Sequence, residues 1–215
     1  MHKSNGRILY SATDLVGFLE CEHLTTLDLL DLESPLPRAP EDEQVALIQQ
    51  KGHEHERAYV EQLRSRPSSF VDISERRRDV WERIGFTIEA MRAGVDIIYQ
   101  GALMSGDFIG YPDFLRRVER PSELGAYSYE VVDAKLARSE KTKFIVQLAF
   151  YSQCVTEVQG TSPLMMHVVL GDLTEVPYRF TEFARYVGEL RRRFEERVRD
   201  HAGETYPDPC DHCNL

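Results

Sequence analysis

The sequence predicts a single α/β domain in which helices precede a three-stranded meander that is followed by a helix and a strand. Apolar residues recur at helical spacing in the first part of the chain, whereas residues 96–136 hold apolar or alternating runs separated by Gly and Pro. With 42% hydrophobic residues, the 215 residues can build one sizeable core but not two. We therefore expect one domain over residues 1–215, with a core at about 41–170 and helical, cysteine-bearing ends at 1–40 and 181–215.

The first part of the chain is predicted to be mainly helical. A helix begins at Ser11, because a hydroxyl followed three residues later by the carboxylate of Asp14 forms a short variant of the capping box. After a proline-rich break at residues 33–40, the predicted elements are a long amphipathic helix at Glu41–Arg64, a short strand at Val71 and a helix at Arg76–Arg92.

The rest of the chain alternates between strands and helices. The predicted strands of the meander are Asp96–Leu103, Phe108–Val118 and Tyr127–Leu136. The predicted elements after it are a helix at Lys141–Val158, a buried strand at Leu164–Leu170, an edge strand at Pro177–Phe180 and an amphipathic helix at Phe183–His201.

Charge and hydropathy restrict the class of protein. A formal net charge of −10 argues against an extensive wrap around duplex DNA, which depends on neutralising phosphates. A local basic patch can still guide a strand, and the candidates are residues 76–78, 116–117 and 191–193, although a solvated helix face also explains the first and the last. Neither a membrane-spanning run nor a signal-peptide apolar region is present, so we expect a soluble, cytoplasmic protein.

Two carboxylates and an ammonium stand out within the predicted meander. Asp113 lies in a strand that is otherwise apolar. Asp133 and Lys135 are two residues apart on the next strand, and because side chains alternate they must share a face, while Val132 and Ala134 face the other way, towards the core.

Two further groups flank this strand in the sequence. Gln147 and Tyr151 are separated by four residues on the following helix and therefore share one face of it. Upstream, the long predicted helix contains Gly52–Glu56, with histidines at positions 53 and 55.

Metal-assisted phosphodiester hydrolysis would explain why these residue types are gathered. Hard divalent cations such as Mg²⁺ take oxygen ligands and commonly only one or two carboxylates, which Asp113 and Asp133 can supply, with the backbone carbonyl of Ala134 as a further ligand. The metal acidifies a bound water and offsets the charge that develops on phosphorus. Lys135 would orient that water or donate to the scissile phosphate.

The ordered motifs resemble the PD-(D/E)XK nuclease superfamily, specifically its RecB-like branch. Pro112–Asp113 matches the PD element, Asp133–Lys135 matches (D/E)XK, and Gln147–Tyr151 matches the Q-x-x-x-Y helix of the branch. The upstream Gly52–Glu56 matches its Gly-x-x-His-Glu helix. Each motif is weak alone, and the resemblance rests on their order and on the type of element that carries each.

The resemblance implies a restriction-endonuclease-like core and a Mg²⁺- or Mn²⁺-dependent deoxyribonuclease. The implied substrate is single-stranded or end-exposed DNA in repair or defence, with a helicase or another nucleic-acid-processing domain as a partner and no membrane. The implied catalytic residues are Asp113, Asp133, Lys135, Gln147 and Tyr151. The implied metal ligands are His55, Asp113, Asp133 and the carbonyl of Ala134.

The cysteines suggest a second metal group at the ends of the chain. RecB-like nucleases often carry a [4Fe–4S] cluster held by one N-terminal and three C-terminal cysteines, and Cys21, Cys210 and Cys213 resemble part of that set. Zinc held with the help of His212 is the alternative, and Cys154 is interpreted as a buried thiol. The resemblance suggests that a full-length protein continues with further cysteines, and the group would join the two ends as a clasp.

Two other classes of function remain open. The chain could be a non-catalytic nucleic-acid-binding module that retains the fold, which the intact Asp113, Asp133 and Lys135 argue against. It could also be a zinc or iron–sulfur structural domain, which the D-x-K strand followed by Q-x-x-x-Y disfavours. The aromatic residues that could stack on bases, although their spacing also suits a core, are Phe114, Tyr127, Tyr129 and Phe150.

Overall fold

The computed structural model describes residues 1–37, 43–74, 79–200 and 205–207. The strands in this part of the chain are β1 (His2–Ser4), β2 (Arg7–Ser11), β3 (Phe70–Asp72), β4 (Ile97–Tyr99), β5 (Leu103–Ser105), β6 (Phe108–Gly110), β7 (Phe114–Val118), β8 (Ser128–Ala134), β9 (Met165–Val169) and β10 (Glu175–Arg179). The helices are α1 (Ala12–Glu20), α2 (Glu22–Glu33), α3 (Glu43–Arg64), α4 (Val80–Arg92), α5 (Thr142–Gln159) and α6 (Phe180–Arg199). None of these helices has the length and apolar character needed to cross a membrane.

The strands form two sheets, so the predicted α/β class is confirmed. A six-stranded sheet has the order β10-β9-β8-β7-β4-β3, and a four-stranded sheet has the order β1-β2-β6-β5. The neighbours β4, β7 and β8 pair antiparallel as the predicted meander, whereas β8 and β9 pair in parallel through the crossover helix α5. The β5–β6 hairpin leaves the meander and joins the second sheet through β2.

Two of the predicted strands are each broken in two. The first ends at Tyr99 because Gln100 adopts a left-handed backbone with φ of 54°. The second is interrupted at residues 111–113, where Pro112 has no N–H to donate to a sheet. The expectation that Asp113 lies within a strand is therefore wrong, and Asp113 instead directly precedes β7.

The helices follow the predicted pattern, with one addition. Ser11 and Asp14 cap α1 reciprocally, as expected. The chain then turns at Cys21 and begins the separate helix α2. This helix and the strands β1 and β2 are not among the elements predicted from the sequence. The predicted first residues of α3 and α4 and the predicted end of α6 lie outside the described residues.

Hydrophobic residues cover both faces of the six-stranded sheet. The larger cluster packs α5, α1 and α6 against one face and includes Val131, Phe150 and Phe194. A smaller cluster under α3 packs Tyr59 against Phe114 and against other residues of the opposite face. The meander is therefore held from both sides, which fixes which face each of its side chains occupies.

Gly160 at the end of α5 provides a test of the backbone geometry. Its φ of 66° is left-handed, so Gly160→Ala should lower the free energy of unfolding by about 1–2 kcal/mol. Gly85, exposed within α4 and with open space around it, is the matched control. Gly85→Ala should raise stability by up to about 1 kcal/mol, because alanine favours the helix. Denaturant unfolding measures both, and equal effects would contradict the assigned backbone.

Candidate active site

Strand pairing brings the two aspartates together. Phe114 of β7 lies opposite Val132 of β8, so the next positions place Asp113 opposite Asp133. The backbone N–H of Ala134 donates to Oδ2 of Asp113 at 2.8 Å, which fixes that carboxylate against the end of β8. Asp133 is buried, with 1% of its surface exposed.

Lys135 provides the positive charge beside this acid pair. Its Nζ lies 2.6 Å from Oδ2 of Asp133, as expected from their shared face. The ammonium of Lys135 is therefore in direct contact with the buried carboxylate of Asp133 and offsets part of its negative charge. A carboxylate has two oxygens with several acceptor positions, so the contact with Lys135 leaves Asp133 able to bind a further cation.

The electrostatics of the site reflect two carboxylates held in close contact. Burial, followed by the charge of Asp133, raises the pKa of Asp113 well above its usual value. Burial lowers the pKa of Lys135, but the charges of Asp133 and Asp113 outweigh burial and raise it. Lys135 is therefore a cation at neutral pH, and it offsets only part of the repulsion within the pair.

Helix α5 brings a phenol to the same place. Burial, followed by the charges of Asp133 and Asp113, raises the pKa of Tyr151 well above its usual value, so the phenol keeps its proton. Gln147, one turn earlier on α5, is partly exposed and has no hydrogen bond to the described residues. At Gly110 an added Cβ would lie 3.0 Å from the ring of Tyr151, so β6 and α5 approach closely there.

Helix α3 approaches the site from the other face of the sheet. Nε2 of His55 lies 3.4 Å from the carbonyl oxygen of Val169, which also accepts the backbone N–H of Lys135 at 2.8 Å. The buried imidazole therefore sits beside the backbone of Lys135, where β8 and β9 end. Its role as a metal ligand stays a prediction, as does that of the Ala134 carbonyl.

Glu56 and Gln100 also belong to the site, although neither is among the site residues predicted from the sequence. The side-chain amide of Gln100 donates to the carboxylate of Glu56 and, at 3.3 Å, to Oδ1 of Asp113. The backbone N–H of Gln100 donates to the carbonyl of Asp113 at 2.7 Å. The only signals in the sequence are the glutamate in the Gly52–Glu56 motif and a glutamine that directly follows an apolar strand.

A polar network anchors α3 to the sheet beyond the acid pair. Arg116 pairs with Glu175 at 2.8 Å, and His167 contacts Glu175 at 2.8 Å and Glu130 at 2.9 Å. The hydroxyl of Tyr59 donates to Glu175 at 3.4 Å, one helical turn after His55. The network therefore contributes to positioning the turn of α3 that carries His55.

The two candidate basic patches in the described part of the chain are engaged within the protein. Besides the Arg116 pair, Arg117 contacts Asp96 at 3.5 Å and stacks on Tyr127. The arginines at 191–193 pair with Glu195, Glu189, Glu196 and Glu22. Residues 76–78 lie outside the described part of the chain.

The aromatic residues considered for base stacking lie mostly in the core. Phe114, Tyr129 and Phe150 are each at most 1% exposed, so the core interpretation is confirmed for them. The hydroxyl of Tyr127 donates to the carbonyl oxygens of Met91 and Arg92.

The ends of the described chain approach each other near Cys21. Cys21 is buried between α1 and α2, and Thr205 contacts both His23 and Thr26 of α2. Cys210 and Cys213 lie outside the described residues, so the predicted iron–sulfur or zinc site stays a prediction. Burial raises the pKa of Cys154 to about 12, as expected for an unreactive core thiol.

Two comparisons with known proteins were negative. No protein-family model matches the chain, and no curated protein is significantly similar to it. The assignment of a function therefore rests on the chemistry of the site.

The pair of Asp113 and Asp133 is the candidate binding site for a divalent cation. Among the described residues, no three His, Cys, Asp or Glu side chains form a metal-binding group. Mg²⁺, however, commonly uses one or two carboxylates and keeps several waters. Asp113 and Asp133 provide two adjacent carboxylates whose repulsion Lys135 offsets only in part, so the residues present fit such an ion.

Thermal unfolding tests this fit without an activity assay. A cation that binds only the folded protein stabilises it by about 2.7 kcal/mol at one hundred times its dissociation constant, so Mg²⁺ or Mn²⁺ should raise the Tm of the wild type relative to EDTA. Asp113→Asn and Asp133→Asn should lose this rise. Asp107→Asn removes an exposed carboxylate elsewhere and should keep it. Equal shifts in all four proteins would show that the cations act at another place.

The network under α3 predicts a pH-dependent stability. Burial lowers the pKa of His167, but its hydrogen bonds with Glu130 and Glu175 outweigh burial and raise that pKa. The hydrogen bond between His167 and Glu175 in turn lowers the pKa of Glu175 to about 2. The stabilisation from protonated His167 is complete below about pH 6.5 and is lost as the pH rises through the raised pKa.

Substitution of His167 should remove this alkaline loss. At pH 6, His167→Gln should reduce the free energy of unfolding by about 1–3 kcal/mol, because the carboxylates lose a buried partner. Urea unfolding in EDTA from pH 6 to pH 9 measures both effects, and His2→Gln removes an exposed imidazole as the control. An unchanged alkaline slope in His167→Gln would assign the loss to other groups.

Proposed function

We propose that the protein is a metal-dependent deoxyribonuclease of the PD-(D/E)XK type with a restriction-endonuclease-like core. The contact of Asp113, Asp133 and Lys135 at the ends of two paired strands carries the proposal. The order α3, β4, β7, β8, α5, β9 around this contact supports the proposed core, since α5 crosses over to bring β9 parallel to β8.

Asp113 and Asp133 would hold Mg²⁺ or Mn²⁺, with His55 and the Ala134 carbonyl as further candidate ligands. The bound ion would acidify a water and offset negative charge on the phosphate. Glu56 and Gln100 orient Asp113 from its other side, through the side-chain amide of Gln100.

Lys135 and the α5 residues act on the substrate and on the attacking water. The raised pKa of Lys135 keeps its ammonium protonated, so Lys135 donates to the scissile phosphate or orients the water and does not act as a general base. The Tyr151 phenol also retains its proton and can donate a hydrogen bond. The partly exposed Gln147 amide, on the same helical face, has no hydrogen bond in the described structure and can orient a substrate group.

The proposed substrate is single-stranded or end-exposed DNA, and a helicase or a further nucleic-acid-processing domain is the proposed partner. The net charge of −10 and the internal pairing of residues 116–117 and 191–193 disfavour a broad duplex-binding surface. The proposed role is in DNA repair or defence, and we place the protein in the cytoplasm.

Cleavage of labelled single-stranded DNA tests the proposal. Mg²⁺ or Mn²⁺ should support cleavage and EDTA should abolish it, while Lys135→Met should reduce the rate by about 10²–10³-fold because it removes one charged donor from the transition state. Lys3→Met, an exposed lysine of β1, is the matched control and should cut at the wild-type rate.

Circular dichroism of each variant separates loss of activity from loss of fold. Equal cleavage by the wild type and Lys135→Met would refute the assigned chemistry. Binding of DNA with no cleavage under any of these ion conditions would instead indicate a non-catalytic nucleic-acid-binding module.

A further inference from the structure

Two clefts flank the acid pair, one on each side along the sheet. The Arg57 cleft has a volume of about 380 Å³ and is lined by Glu56, Arg57, Arg64, Asp72 and Tyr99, among others. The Arg138 cleft has a volume of about 480 Å³ and is lined by Leu136, Ala137, Arg138, Gly171 and Asp172. Both volumes are in the range of about 300–1,000 Å³ that is typical of small-ligand pockets.

Each cleft is connected to the proposed site by a direct contact. Glu56 lines the Arg57 cleft and accepts the amide of Gln100, which also reaches Asp113. Ala137 lines the Arg138 cleft, and its backbone N–H donates to the carbonyl of Lys135 at 2.7 Å.

The strand order places the clefts on opposite sides of the acid pair. The Arg138 cleft lies where β8 and β9 end, the acid pair lies between β8 and β7, and the Arg57 cleft lies beside β4 and β3. From β9 to β3 there are four strand spacings, or about 19 Å. A single strand of DNA that crosses the acid pair would therefore run from one cleft to the other over several nucleotides.

Each cleft holds one arginine that has no hydrogen bond or ion pair with the described residues. Arg57 and Arg138 are both exposed, whereas Arg64, in the same cleft as Arg57, pairs with Asp72 at 3.2 Å. The planar guanidinium matches the geometry of a phosphate and is less strongly hydrated than an ammonium. These two guanidinium groups are therefore available to bind an anion.

Each cleft also presents an apolar surface beside its arginine. Tyr99 is partly exposed in the Arg57 cleft, where its ring packs against Phe70 and Phe114. Leu136 is 48% exposed in the Arg138 cleft. A cation next to an aromatic ring is the combination that binds the phosphate and stacks on the base of an unpaired nucleotide, as Arg57 and Tyr99 can do. In the Arg138 cleft the apolar side chain of Leu136 can pack against a base without stacking on it.

We propose that the two clefts bind single-stranded DNA on both sides of the scissile phosphate, with Arg57 and Arg138 each contacting a flanking phosphate. This inference rests on the proposed nuclease function and adds the path of the strand. Because the strand is held on both sides of the cut, the enzyme needs no DNA end, and covalently closed single-stranded circles are substrates.

Salt-dependent binding tests the path independently of cleavage. Fluorescence anisotropy of a labelled single-stranded oligodeoxynucleotide is measured in EDTA at several salt concentrations. Arg57→Gln and Arg138→Gln should each weaken binding about tenfold. Each should also reduce the slope of log K against log salt by about 0.7, the value for one phosphate on a single strand. Arg92→Gln, which removes an exposed arginine at the end of α4, should change neither quantity.

The outcomes separate the path from the chemistry. Wild-type slopes in both cleft variants, effects equal to that of Arg92→Gln, or tighter binding of duplex DNA or of single-stranded RNA would overturn the path. Arginine-dependent binding with no cleavage in Mg²⁺ or Mn²⁺ would refute the nuclease but retain the path. Degradation of linear single-stranded DNA, with single-stranded circles left intact, would show that the DNA is held on only one side of the scissile phosphate.

Discussion

The register between β7 and β8 is the constraint on which the candidate site depends. Phe114 lies opposite Val132, and this pairing alone brings Asp113 to Asp133. A slip of one residue would move Asp133 to the other face of the sheet and separate the pair. Hydrophobic clusters on both faces prevent that slip, because every residue of β8 before Ala134 is buried.

The same burial makes the site electrostatically unfavourable. Burial and then the charge of Asp133 raise the pKa of Asp113, and a single ammonium offsets only part of the repulsion between the two carboxylates. Such a pair persists only where the surrounding packing outweighs its cost, and perturbed ionisable groups of this kind cluster at functional sites. The closely packed meander is therefore the condition under which Asp113, Asp133 and Lys135 can coexist.

The parts of the fold that the sequence predicted are those set by local periodicity and capping. The cap of α1 at Ser11, the strand that carries Asp133 and the helix that carries Tyr151 follow from residue spacing within a few positions. Glu56 and Gln100 meet across 44 positions of the chain, and no local pattern encodes that contact. The breaks in the meander also depend on tertiary structure, since Gln100 adopts a left-handed backbone beside Asp113.

Helix α3 links the acid pair to both clefts. His55 and Glu56 are consecutive, and side chains of consecutive helical residues diverge by about 100°. One therefore reaches Val169 beside the Arg138 cleft, and the other reaches Gln100 beside the Arg57 cleft. Tyr59, one turn later, ties the same helix to Glu175. A small rotation of α3 would disturb both sides of the acid pair together, so the polar network beneath this helix helps to position the site, although none of its members lies among the proposed catalytic residues.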